Sequence, residues 1–183
     1  TLRLRRGHRW SDGHPFTAED FRYCWEDVIL RDDLGGMLPE LRVEGQGPVF
    51  EVLDETAVRY TWPAPLPDFL PMLAAPSPVR IFMPAHYMKG FHQSYTPQAE
   101  LDALVAAQRV DDWQSLHQKM SRVTRPENPD LPTLEPWRPR TLPPAQQFVF
   151  ERNPYFHRVD QDGRQLPYID KVLAAWRAKG IKT

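Results

Sequence analysis

Seven prolines stand between residues 126 and 144: Pro126, Pro129, Pro132, Pro136, Pro139, Pro143 and Pro144. Each removes a backbone N–H and fixes φ, so the stretch can be neither a regular helix nor a central strand. A connection of roughly twenty residues without regular structure is uncommon inside a compact domain; it reads as a functional loop or a crossing between lobes. The whole chain carries 20 prolines in 183 residues, about twice the usual share, against 9 glycines. Its connections are expected to be long and stiff.

The charges nearly cancel, with 23 Lys and Arg against 24 Asp and Glu. Nucleic acid is a poor partner for such a chain, because its binding rests on clustered cations that neutralise phosphates. No stretch approaches the roughly 18 apolar residues of a membrane span. Cys24 is the single cysteine, so an internal disulfide is excluded and a cysteine-based zinc site lacks partners. The sequence opens at Thr1 without a basic and apolar leader, and nothing about localisation follows from that.

Local patterns assign elements along the chain. Residues 2–10 alternate Leu2 and Leu4 with Arg3 and Arg5 before Trp10, the period of a half-exposed strand. Ser11-Asp12-Gly13-His14-Pro15 is a turn. Thr17 and Asp20 have the spacing of a capping box, and Phe16 and Phe21 that of a hydrophobic staple. A helix over residues 18–30 is expected, with Phe21, Cys24, Trp25, Val28 and Ile29 on its buried stripe. Cys24 on that stripe reads as inert packing. A loop with Gly35-Gly36 and Gly45-Gln46-Gly47-Pro48 leads to a hairpin, Phe50 and Val52 facing Val58, Tyr60 and Trp62 across a turn at Asp54-Glu55. Short helices are expected after Asp68 as cap, from Pro84, and from Thr96 as cap with Pro97 at the first helical position. A further helix spans residues 110–123 with Asp111 as cap. Phe148 and Phe150 mark a strand, Asn153-Pro154-Tyr155 and Asp162-Gly163 mark turns, and residues 171–180 read as a helix stopped by Gly180.

Residues with chemical potential mostly read as scaffold. The six histidines include no pair at the i, i+4 spacing of a helical zinc motif. Gly45-Gln46-Gly47 lacks the third glycine of a dinucleotide loop, since Phe50 occupies that place. No nucleophile elbow, phosphate loop or paired catalytic carboxylate stands out. No cofactor and no metal site is assigned. Trp137 is the exception, because it stands in the proline-rich segment beside Arg138. A flat ring next to a guanidinium can form one wall of a ligand cleft, so Trp137 and Arg138 are the candidate ligand-binding residues.

Three blocks carry a family resemblance. LRLRRGHRWSDGHPFTAEDFRYCWEDV at residues 2–28 resembles the strand-turn-helix signature of the extracellular solute-binding proteins of family five, which serve oligopeptide, dipeptide and nickel ABC importers. FEVLDETAVRYTWP at residues 50–63 is similar to the hairpin that follows in that family. FVFERNPYFHRVDQDGRQLPYIDKV at residues 148–172 resembles its RNP-aromatic segment and the LPYID stretch of one subgroup. The resemblance implies an α/β fold, part of a two-lobed type II periplasmic-binding-protein architecture with a mixed sheet and flanking helices. It further implies a periplasmic or otherwise extracytoplasmic carrier that grips a peptide or peptide-like solute and passes it to ABC permease subunits, without catalysis.

On that reading residues 1–123 form the central part of the first lobe, 124–145 the crossing, and 146–183 a return strand with the LPYID segment. The matched stretch is then an incomplete portion of a longer carrier. The family continues past Val172 as an extended strand, whereas Leu173-Ala174-Ala175-Trp176-Arg177 reads helical. Two alternatives remain: a nickel or metal-chelate carrier on the same fold, and a carboxylate-based hydrolase.

Overall fold

The computed structural model describes residues 1–76, 78–123, 125 and 127–175. Strands and helices are both present, as expected for the class. They fall into two compact units, one of Thr1–His8 with Phe16–Ser121 and one of Arg9–Pro15 with Arg122–Thr183.

In the first unit, β1 (Leu2–Arg3) is followed by α1 (Ala18–Arg22), which runs on as a π-helical segment, Tyr23–Ile29. The capping box forms: Asp20 Oδ2 accepts from Thr17 N at 2.9 Å, and Thr17 Oγ1 accepts from Glu19 N at 3.3 Å. Asp20 also reaches outward, its Oδ1 accepting from Ala85 N at 2.9 Å and its carbonyl from Met83 N at 3.1 Å. One buried carboxylate therefore caps a helix and fastens a distant segment. The staple forms as well, with the Phe16 and Phe21 rings 5.5 Å apart and Phe82 within 5.4 Å of both.

The hairpin pairs β2 (Val49–Asp54) with β3 (Ala57–Thr61), in the register Phe50↔Tyr60 and Val52↔Val58. With β1 it makes an antiparallel sheet in the order β1-β3-β2. The buried Trp25 meets Tyr60 at 5.2 Å and Phe50 at 5.9 Å, joining helix to sheet. The start of α1 is also hydrogen-bonded to the hairpin turn, Ala18 N to Glu55 O at 2.8 Å.

The remaining helices are α2 (Phe69–Leu73), α3 (Ala85–Met88) with a 3-10 turn at Lys89–Phe91, α4 (Gln98–Gln108) and α5 (Trp113–Met120). Trp113 and His117 of α5 join Tyr23 and His92 in a buried aromatic-histidine cluster. His117 Nε2 meets Tyr23 Oη at 2.8 Å. His92 donates from Nε2 to Asp27 O at 3.0 Å and accepts at Nδ1 from Ser94 N at 3.1 Å, which defines a neutral ring. The two imidazoles lie edge to face, 5.7 Å apart.

In the second unit β4 (Trp137–Pro139), β5 (Gln147–Arg152) and β6 (Lys171–Ala175) form a second antiparallel sheet in that order. The prolines beside and within β4 are tolerated because it is an edge strand. Both sheets are antiparallel; the mixed sheet implied by the resemblance finds no parallel pair among the described residues.

Several sequence expectations are corrected. The strand expected over residues 2–10 is only Leu2–Arg3, because pairing ends where the chain turns away from β3. Asp112, not Asp111, caps α5, accepting from Ser115 N at 2.7 Å, and Val123 lies outside the helix, 55% exposed. Asp68 makes no capping bond to α2, and the Thr96 hydroxyl donates to Lys89 O instead of capping α4. Residues 171–175 form strand β6 rather than a helix; Val172 pairs with Phe150 and Ala174 with Phe148, so ladder bonds override helix propensity. Residues 176–180 of that expected helix lie outside the described residues.

The histidine cluster makes stability pH-dependent. Burial, with the nearby His92 and Arg80 charges adding to it, holds His117 down at about 4 from 6.5, and burial lowers His92 in the same direction. Between those values the unfolded chain binds a proton that the folded chain refuses, so stability is complete above pH 6.5 and declines as pH falls toward 4. Chemical denaturation should show a loss of roughly 2–3 kcal/mol between about pH 7 and pH 4.5. His117→Asn, which keeps a polar group toward Tyr23, should flatten that slope while lowering stability at neutral pH.

Candidate functional site

The second unit builds its site from three stretches far apart in sequence. The turn Trp10–His14 closes through Gly13 N to Trp10 O at 2.9 Å and Trp10 N to His14 O at 2.9 Å. Gly13 sits at φ +91°, a conformation that favours glycine, and a Cβ there would press on the Tyr155 hydroxyl at 3.0 Å. Ser11 then binds the proline-rich segment through both its N–H and its hydroxyl. Its N–H donates to Thr133 O at 3.0 Å, and its Oγ accepts from Thr133 N at 3.0 Å.

Asn153, fully buried, holds the same segment from the other end. Its Nδ2 donates to Glu135 O at 3.0 Å and Thr133 O at 3.4 Å, while Oδ1 accepts from Tyr155 N at 2.9 Å. Asn153 N also donates to Pro136 O at 2.8 Å. Residues 133–136 are thereby fixed without forming a helix, and they deliver the chain into β4.

Side chains alternate across β4, so its neighbours part company. Trp137 lies opposite Arg152, and Pro139 opposite Phe150. On the other face Arg138 lies opposite Glu151, whose carboxylate also meets Arg140 at 2.7 Å and Lys171 at 3.6 Å. The Arg140 guanidinium, first of all, holds Glu151 below the usual carboxylate range. One face thus carries Trp137 and Phe150 with Arg152, and the other is charged throughout this stretch.

Trp137 and Pro139 line an open cleft of about 50 Å³ together with Arg122, Arg125, Leu131 and Glu135. Every lining residue belongs to the second unit. The Trp137 indole is half-buried, its Nε1 donating to Ile169 O at 3.4 Å. Trp137 is thus one of the residues that line this cleft. Arg138 is not part of the lining: its guanidinium donates to Ser11 O at 3.2 Å, and its Nε is buried without a partner.

Sequence reading overlooked Ser11 and Asn153 as fasteners, and Arg122, Arg125 and Glu135 as cleft walls. The asparagine stood in a recognised turn, but its acceptors lie 18 and 20 positions upstream, which no local pattern encodes. Among the described residues no three His, Cys, Asp or Glu side chains converge as a metal site, and no helix is long and apolar enough to cross a membrane.

Comparison with known proteins gives a consistent result. Residues 1–175 match the family model described as bacterial extracellular solute-binding proteins, family 5 Middle. The periplasmic alpha-galactoside-binding protein of Rhizobium meliloti is 27% identical over all of this chain and 24% of its own length. The periplasmic oligopeptide-binding protein OppA of Escherichia coli is 25% identical over 62% of this chain and 23% of its own. Among solved structures, an oligopeptide-binding protein OppA superposes with a TM-score of 0.81 at 37% identity, over 96% of this chain and 27% of that one. The periplasmic binding protein MelB of Agrobacterium fabrum, in complex with stachyose, superposes at 0.69 with 27% identity, over 96% and 24%. The chain spans about a quarter of the length of the curated relatives it matches.

The geometry predicts unequal costs for the two fasteners. Asn153→Ala removes three side-chain hydrogen bonds at a fully buried position and should cost about 2–4 kcal/mol in urea unfolding, whereas Ser11→Ala removes one acceptor and should cost about 1–2 kcal/mol. Both hold Thr133, so the double variant should lose less than the sum.

Proposed function

The chain belongs to the bacterial extracellular solute-binding proteins of family 5, and from that membership we propose that it forms part of the substrate-binding component of an ABC importer. On this reading it takes up a peptide or peptide-like solute outside the cytoplasm and delivers it to permease subunits. The match of the family model to residues 1–175 carries the reading, and the superposition on an oligopeptide-binding protein at a TM-score of 0.81 supports the choice of solute. An oligosaccharide is the second reading, favoured by the alpha-galactoside-binding relative that matches along the whole chain.

The mechanism is non-covalent. A carrier of this kind moves between open and closed arrangements of its lobes, and the solute shifts that equilibrium only by its differential affinity for the two. Within this chain Trp137 is the solute-facing residue of the expected pair. Arg138 acts on it indirectly, by tying β4 to the Ser11 carbonyl. The buried Cys24, whose thiol is pushed up to about 12 by burial, packs the core and takes no part.

Incubation with mass-labelled oligopeptides and oligosaccharides distinguishes a carrier from a hydrolase. The solute recovered after denaturing the protein should have its original mass. Cleavage products appearing in proportion to protein concentration would replace the carrier reading with an enzymatic one.

A further inference from the structure

Resting on the carrier reading and choosing between its two solute classes, we infer that the Trp137 cleft is a saccharide subsite that takes the edge of a hexose ring. The lining brings together the residues Trp137, Arg122, Arg125 and Glu135: one indole, two cations and one anion. None of these three charged groups has an ion-pair partner among the described residues, although they border the same small space.

That combination discriminates by charge. An anionic solute group would meet Glu135 and a cationic one would meet two guanidiniums, and like-charge contacts cost affinity. An apolar peptide side chain would strip water from charged groups and return no hydrogen bonds. A neutral polyol escapes both penalties, because each hydroxyl donates once and accepts at up to two sites. It can donate to Glu135 and accept from Arg122 or Arg125, while the C–H face of its ring lies on the indole. Trp suits that place, being apolar in body and able to work where one side stays wet.

Size sets how much of the sugar enters. A cleft of about 50 Å³, counted as the space open to the centres of water-sized spheres, is a few times the roughly 10–15 Å³ that one water needs on that measure. It admits one or two hydroxyl-bearing carbons, so the ring enters by its edge and the rest of the solute stays outside this wall.

The test is a titration of the full 183-residue chain with raffinose, and in parallel with trialanine, following the indole N–H signals in ¹⁵N–¹H spectra. Trp137→Phe assigns the Trp137 signal and keeps an aromatic face. Raffinose should move the Trp137 signal saturably and trialanine should not. Arg122→Met and Glu135→Gln, both at solvent-exposed positions, should each weaken raffinose about tenfold, as expected for losing a charge-assisted hydrogen bond. Trp137→Phe should weaken it by only about threefold.

Trialanine moving the Trp137 signal while raffinose does not would overturn the saccharide assignment and leave the carrier reading intact. Raffinose binding that ignores all three variants would overturn the site. Silence toward both ligands would overturn the subsite too, while the carrier reading falls separately, only if labelled solutes return cleaved.

Discussion

A backbone that cannot bond to itself is the constraint on which the second unit depends. Between residues 126 and 144 the prolines remove donors at short intervals, and their neighbours are steered away from helical geometry. The carbonyls remain, and buried ones need partners. Ser11 and Asn153 supply them from two other parts of the chain, converging on Thr133 from opposite sides. A segment fixed by side chains rather than by its own ladder can take an irregular course and still hold position, which is what a cleft wall requires. Trp137 inherits its placement from those bonds, since β4 begins one residue after Pro136, whose carbonyl accepts from Asn153 N.

The first unit solves a related problem with fewer residues. Asp20 closes the capping box and reaches Ala85 N, so one carboxylate sets both the start of α1 and the position of α3. Beside it the surface of α1 carries an ionic cluster, with Arg22 on Glu19 and Glu26 and with Lys89 on Glu19. The Arg22 hydrogen bond is the main reason Glu19 lies down at about 2. These groups reach solvent, where screening leaves such pairs little net stability. They orient the helix surface, while the enclosed Phe16, Phe21 and Phe82 rings provide the cohesion.

What could be read from the sequence was local chemistry. The capping box, the staple and the hairpin depend on residues within a few positions of one another; the first two appear at their expected residues, and the hairpin pairs Phe50 with Tyr60 and Val52 with Val58, with its turn at Glu55-Thr56 rather than Asp54-Glu55 and Trp62 just beyond β3. Trp137 stood out as a large ring among prolines; in the structure it opens strand β4 and lines the cleft. The failures share the opposite cause. Leu173-Ala174-Ala175 has helix-forming composition, but pairing with β5 decides its conformation, and β5 begins 26 residues before Leu173. His92 and His117 looked like scattered singletons because their meeting depends on the packing of α5 against the Tyr23–Ile29 segment. Ser11 and Asn153 were visible only as turn residues, because a side chain's distant acceptor leaves no trace in spacing.

The distribution of perturbed groups bears on what kind of protein this is. A general acid or base works best when its pKa lies near the operating pH and its side chain faces a cleft. Here burial drives the other way: His117 goes down to about 4 and Cys24 up to about 12, and both are enclosed in the first unit's core. They are held uncharged, with hydrogen bonds that suit the uncharged form. The cleft is lined instead by fixed charges of both signs and an aromatic face. On the proposed carrier reading such a surface would hold a neutral, hydroxyl-rich partner through complementary contacts in which no group gains or loses a proton. The bonds from Ser11 and Asn153 fix residues 133–136 and with them the start of β4, so on that reading the Trp137 wall is in place beforehand and less ordering entropy is spent on binding.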